Sequence, residues 1–201
     1  MIEHLNRYTL PAALSLLPKA MDTPHARAML LAIALQESKC CHRRQILGPA
    51  RGFYQFEKGG GVKGVLIHWA TKAHAVQAMQ LLQYPDCAVE TAYAAIEHND
   101  TLATVFARLL LYTLPDKLPT DTQTNEAWMQ YLAAWRPGKP HPETWNACFA
   151  RAWSLVGRVA NLVLLLLRNR ATTRAPQDRP RSVQILRVGG VCHHTPVAAH
   201  L

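Results

Sequence analysis

"TPHARAMLLAIALQES", Thr23 to Ser38, is the stretch that decides both the fold and the place of any chemistry. Thr23 followed by Pro24 reads as a helix start. The hydroxyl can accept a bond from a free first-turn amide, and proline's missing N–H costs nothing at the first helical position. Residues three, four, seven and eleven before Glu37 share its helix face; they are Ala34, Ile33, Leu30 and Ala26, all apolar. Glu37 therefore continues the face that turns toward a core, and it does so at the helix end where the backbone dipole is negative. Desolvation and dipole both favour the neutral carboxyl. A carboxyl kept protonated near neutral pH is what a general acid needs to protonate a leaving oxygen. The same pattern also fits a partly solvated Glu at a fraying helix end.

The next stretch, "ARGFYQFE" from Ala50 to Glu57, sets Phe53, Tyr54 and Phe56 among Arg51, Gln55 and Glu57, with Gly48 and Gly52 close by. Aromatic faces beside amide and guanidinium donors suit a sugar, whose apolar ring faces stack while its hydroxyls hydrogen-bond. A packed turn carrying a surface Arg is the plainer reading of the same residues.

Outward from these two segments, nearly every periodic stretch reads as helix: "CAVETAYAAIEHND", "TLATVFARLLLYTLPDKLP" stopped near Pro115, "TNEAWMQYLAAWRPG" from a cap at Thr124, and "HPETWNACFARAWSLV" with proline in its opening turn. The N-terminus is broken by Pro11 and Pro18 and has no charged-then-apolar leader pattern. Strand signals are confined to "VQILRV" near the end. The expected fold class is all-α, a compact helical body over residues 1–155 with a distinct extension over 156–201.

Composition supports a packed body. Hydrophobic residues make up 49% and charged ones 17%, a globular rather than a disordered balance. Charge is unevenly placed: the segment from Val156 onward holds seven Arg and one acid, a net of +6 out of +9, which leaves +3 for the body. A basic tail suits an anionic partner such as a lipid surface, a cell-wall polymer or nucleic acid, although an end with no function of its own fits equally well. The near-neutral body argues against nucleic acid, which needs clustered cations along the phosphates. "VGRVANLVLLLLRNR" is interrupted by Arg158 and Asn161 and is short for a membrane span, which takes about 20 apolar residues. It reads as an extension of the last helix or a surface-lying segment.

Several chemistries are set aside. The five Cys, with Cys40 and Cys41 adjacent, form no disulfide framework and suit a reducing compartment. Ten His include no zinc-type spacing, and neither Cys40-Cys41-His42 nor Cys192-His193-His194 supplies one. "KGGGVKG" lacks the ending of a phosphate-cradling loop and reads as a turn flanking a cleft, and no nucleophile elbow is present. No metal and no cofactor are expected.

The residues carry a resemblance. "LAIALQES" resembles the Glu-Ser motif that ends the catalytic helix of lytic transglycosylases and goose-type lysozymes. "ARGFYQFE" resembles their following Gly-x-x-Gln motif, here Gly52, Phe53, Tyr54 and Gln55, with 18 residues from Glu37 to Gln55. The ordered run through "GGGVKGVLIHW", "ARLLLYTLPDKLP" and "YLAAWRPGKPHPETW" is similar to small lysozyme-like proteins of phages and prophages, over roughly residues 5 to 155.

The resemblance implies a lysozyme-like helical domain that cleaves the β-1,4 bond between N-acetylmuramic acid and N-acetylglucosamine in peptidoglycan. Glu37 would be the acid, and Gln55 and the backbone near Ser38 would position the sugar, with Tyr54 along the groove. Arg51, Phe53 and Trp135 are the other candidate substrate-binding residues. Arg136 and Tyr131 could line the saccharide groove with Trp135, although Tyr131 and Trp135, four apart, also fit one core stripe, the reading favoured for Tyr131.

The family's Ala-Tyr-Asn motif is Ala92-Tyr93-Ala94 here, which leaves hydrolysis and anhydro-sugar formation both open. Glu57 is the nearer candidate for a second carboxylate and Asp100 a more distant one; Glu57 also fits as a helix cap. The expected working form is a monomer acting on glycan strands, made in the cytoplasm without a signal peptide and acting on the wall after release. Its tail would contact anionic membrane or lipopolysaccharide. The rival class is a lysozyme-fold adaptor without chemistry, or a basic helical binding module.

Overall fold

The structure, a computed structural model, describes residues 1–172, with side chains as far as Arg158. It is all-α: among the described residues there are no strands, only isolated bridges pairing Arg51 with Arg44 and with Phe56. The helices are α1 (Ile2–His4), α2 (Leu10–Leu14), α3 (Pro24–Ser38), α4 (Lys63–Ile67), α5 (Lys72–Leu81), α6 (Val89–His98), α7 (Asp100–Tyr112), α8 (Thr124–Trp135) and α9 (Pro142–Thr172).

Helix α3 begins as its residues dictate. The Thr23 hydroxyl accepts from the Ala26 amide at 3.1 Å, and Pro24 takes the first position. Its burial goes beyond the expected stripe. Ala26 and every residue from Ala28 to Leu35 are buried, so α3 is the hub of the molecule rather than an amphipathic surface helix. Alpha-9 lies along it in the most extensive helix pair, and α7 also packs against it. Only at its last turn does α3 leave the core, which is where Gln36 and Glu37 lie, half-buried.

Two expectations are corrected. Pro11 does not break the N-terminal segment. A π-type turn over Leu5–Thr9 joins α1 to α2, and Pro11 sits in the first turn of α2, where its lack of an N–H is tolerated. Leu5, Leu10 and Leu14 bury themselves in the core. Thr124 is the first helical residue of α8 rather than its cap: Gln123 holds that position and makes no side-chain capping bond.

The backbone of α9 continues without a break across the expected boundary at residues 155 and 156, as an extended last helix would. No helix among the described residues is long and apolar enough to cross a membrane. "VQILRV", the cysteine and histidines near residue 192, and most of the Arg-rich tail lie outside the described residues.

Candidate active site

A cleft of about 980 Å³ opens where the end of α3, the 45–61 segment and the C-terminal half of α8 meet. Glu37 stands on its wall. The Tyr131 hydroxyl donates to Glu37 Oε1 at 2.6 Å, joining residues that are 94 apart in the chain. Behind that hydroxyl, the Tyr131 ring stacks on Trp145 at 5.1 Å and on Trp135 at 6.3 Å. Burial against this aromatic bank pushes the Glu37 carboxyl up from 4.5 to about 7, and the Tyr131 bond pulls back against that rise. The tyrosine's own proton is held more firmly still, by burial and by the neighbouring carboxylate. It therefore stays a donor across the physiological range.

The segment after α3 is built to hold a tight turn. Lys39 and Cys40 are both left-handed, and their amides take the Leu35 and Ala34 carbonyls to close the helix. The Ser38 hydroxyl donates to the Phe53 carbonyl at 2.7 Å and accepts from the Cys40 amide, tying the helix end to the turn. Gly52 has φ +71, and a Cβ there would stand 2.6 Å from the Ile96 carbonyl oxygen, so both conformation and space demand glycine. Gln55 is also left-handed, at φ 49. That conformation costs a non-glycine residue roughly 1 kcal/mol or more. Gln55 lines the cleft with Glu37, its Nε2 donating to the Gly52 carbonyl at 2.8 Å.

Not every expected site residue reaches the cleft. Tyr54 is wholly buried, its hydroxyl paired with Thr104, so it does not run along a groove; only its carbonyl bears on the site, accepting from Trp135 Nε1 at 2.8 Å. Phe53 is buried beneath the Arg43 guanidinium. Arg51 lies over the Tyr93 ring and pairs with Glu97, away from the cleft lining. Ser38 is buried and acts through the turn. Within the short turn the Phe53, Tyr54 and Phe56 rings point back into the body to hold it, and the Gln55 and Glu57 side chains are left on the cleft side.

Trp135 does line the cleft, as do the glycines of "KGGGVKG". Glu57 lines it as an exposed carboxylate; it occupies the cap position of the turn Lys58–Val62 without making a capping bond. Asp100 is engaged by Arg43.

Tyr131 is the residue that sequence reasoning undervalued. It is 3% exposed, which fits a core stripe, yet its hydroxyl touches the key carboxyl. A buried tyrosine, where phenylalanine would pack as well, was the available signal, because a buried O–H needs a partner. His68 and His141 also line the cleft.

The described cysteines are all free thiols, and no group of His, Cys, Asp and Glu among the described residues could hold a metal. Comparison of the chain with protein-family models, with curated proteins and with solved structures returns no match.

Proposed function

We propose that this chain is a peptidoglycan muramidase of the phage-lysis type, cleaving the β-1,4 bond between N-acetylmuramic acid and N-acetylglucosamine. The observation that carries the proposal is a carboxyl held neutral up to about pH 7 on the wall of an open cleft, with a strained glutamine, Gln55, on the same cleft.

Glu37 gives its proton to the glycosidic oxygen as the C1–O bond breaks, and charge builds on C1 as in an oxocarbenium ion. The Tyr131 hydroxyl, already on Oε1, stabilises the carboxylate that forms. Either water or the sugar's own C6 hydroxyl then bonds to C1, and Glu37 takes back a proton from the attacking oxygen. Glu57, exposed in the same cleft, is the candidate carboxylate for activating a water. Gln55 and Trp135 offer an amide and an indole face for holding the sugar. In this reading the enzyme works alone on glycan strands and reaches the wall on release from the cytoplasm.

The test is release of soluble muropeptides from purified peptidoglycan, wild type against Glu37→Gln, with products identified by mass. Fragments from the wild type alone support the proposal. Reducing ends would assign hydrolysis, and anhydro ends transglycosylation. A folded wild type that releases nothing from a substrate another muramidase digests would replace the enzyme with a cell-wall adaptor.

A further inference from the structure

The turn between α4 and α5 presents an anomaly. Trp69 is 88% exposed, and Ile67 beside it is also exposed. An indole left in water gives up the apolar burial that ordinarily stabilises a tryptophan. The residue is not on a loose loop. The Thr71 hydroxyl, fully buried, donates to the Val65 carbonyl at 2.7 Å. The amides of Thr71 and Lys72 both take the His68 carbonyl, and the Ala70 amide donates to His68 Nδ1 at 3.2 Å. Five hydrogen bonds, counting His68 N–H to Gly64, fix the backbone of the turn that carries the exposed ring.

The ring adjoins the cleft through His68. His68 lines it, and the Trp69 indole stacks on the His68 imidazole with centroids 5.7 Å apart and planes inclined by 28°. Because Nδ1 accepts from Ala70, the neutral imidazole carries its proton on Nε2, which makes His68 a donor. A rigid flat apolar face joined to a neutral donor at the mouth of a polar cleft matches the chemistry of a pyranose. One sugar face is a row of C–H bonds, and the rim carries hydroxyl and acetamido oxygens.

We infer that Trp69 and His68 form an outlying saccharide platform that grips the same glycan strand beyond the residues next to Glu37, so that the protein favours long chains over short ones. The inference rests on the muramidase reading. Its occupant is a β-1,4-linked N-acetylated glycan, chosen because the platform adjoins the cleft through His68.

The experiment measures binding rather than turnover. In the Glu37→Gln background, the affinities for the hexamer and the trimer of β-1,4-linked N-acetylglucosamine are compared by titration calorimetry. Trp69→Ala and Trp69→Phe are added to that background, and muropeptide release by the wild type is measured in parallel. Trp69 lies on the surface, so the substitutions leave the core intact, which circular dichroism checks. The hexamer is expected to bind more tightly than the trimer. Trp69→Ala should cost the hexamer about tenfold and the trimer little, and Trp69→Phe should recover most of that loss. If Trp69→Ala changes neither affinity, or lowers both equally, the platform is overturned while muropeptide release still upholds the reading of Glu37. If no variant binds either sugar and the wild type releases nothing, the platform and the reading fall together. A loss of binding to anionic vesicles with sugar affinity unchanged would assign the face to a membrane and overturn the platform.

Discussion

Replacing Tyr131 with phenylalanine removes one oxygen and leaves the ring to stack on Trp145 and Trp135. The lost interaction is the 2.6 Å bond to Glu37 Oε1. A hydrogen bond to a charged group contributes about 1.5–3 kcal/mol, against about 1 for a neutral partner. The carboxylate therefore loses roughly 1 kcal/mol more than the protonated acid does. At 1.36 kcal/mol per pH unit this raises the Glu37 pKa by about half to one unit, allowing for water that takes up part of the hydroxyl's role.

The sign is set by the chemistry: a general acid works while protonated, so activity falls as pH rises through its pKa. In the wild type that basic limb is expected near pH 7, where burial has pushed Glu37. In Tyr131→Phe it should move toward about 8, with a lower plateau because the departing proton leaves an unsupported carboxylate. The assay is the pH profile of muropeptide release, corrected for the Glu37→Gln background. A limb that stays in place, or moves to lower pH, would refute the claim that this bond tunes the acid.

Two further outcomes follow from the same geometry. The folded protein holds the Glu37 proton to about pH 7 while an ordinary carboxyl releases it near 4.5, so raising the pH between those values favours the unfolded chain. Glu37→Gln should therefore raise stability in urea by up to about 3 kcal/mol at pH 8 and hardly at all at pH 4, and equal effects at both would show that the carboxyl is solvated. Gly52→Ala forces a Cβ against the Ile96 carbonyl at positive φ, and should cost about 2–3 kcal/mol in urea unfolding and reduce activity by shifting Gln55; a loss below about 0.5 kcal/mol would mean the turn is free to relax.

What was legible in the sequence is what short-range physics controls. The start of α3 at Thr23-Pro24, the helical character of the body and the placement of Glu37 on an apolar face all follow from capping and from a period of 3.6, which involve residues within a turn or two. Gly52 and Gln55 are marked only by the resemblance of "ARGFYQFE" to a Gly-x-x-Gln motif, and both hold special backbone conformations. Pro11 misled because a proline's cost depends on whether its missing amide was needed, and a preceding π-type turn removes that need.

Tertiary structure alone decided which side chains meet in the cleft. Around Gly52 the turn is too short for periodicity to say which residues face out, so Phe53 and Tyr54 proved to be anchors and Glu57 a cleft residue. The partner of Glu37 comes from α8, far along the chain, and a pattern within one helix says where a tyrosine's ring is buried but not what its hydroxyl touches. Nor could the sequence distinguish Trp69 from the tryptophans that pack inside, since exposure depends on which neighbouring elements fold over a turn and which leave it bare. Local sequence placed the carboxyl; tertiary burial, with the Tyr131 hydroxyl brought in from α8, set the environment that holds its proton.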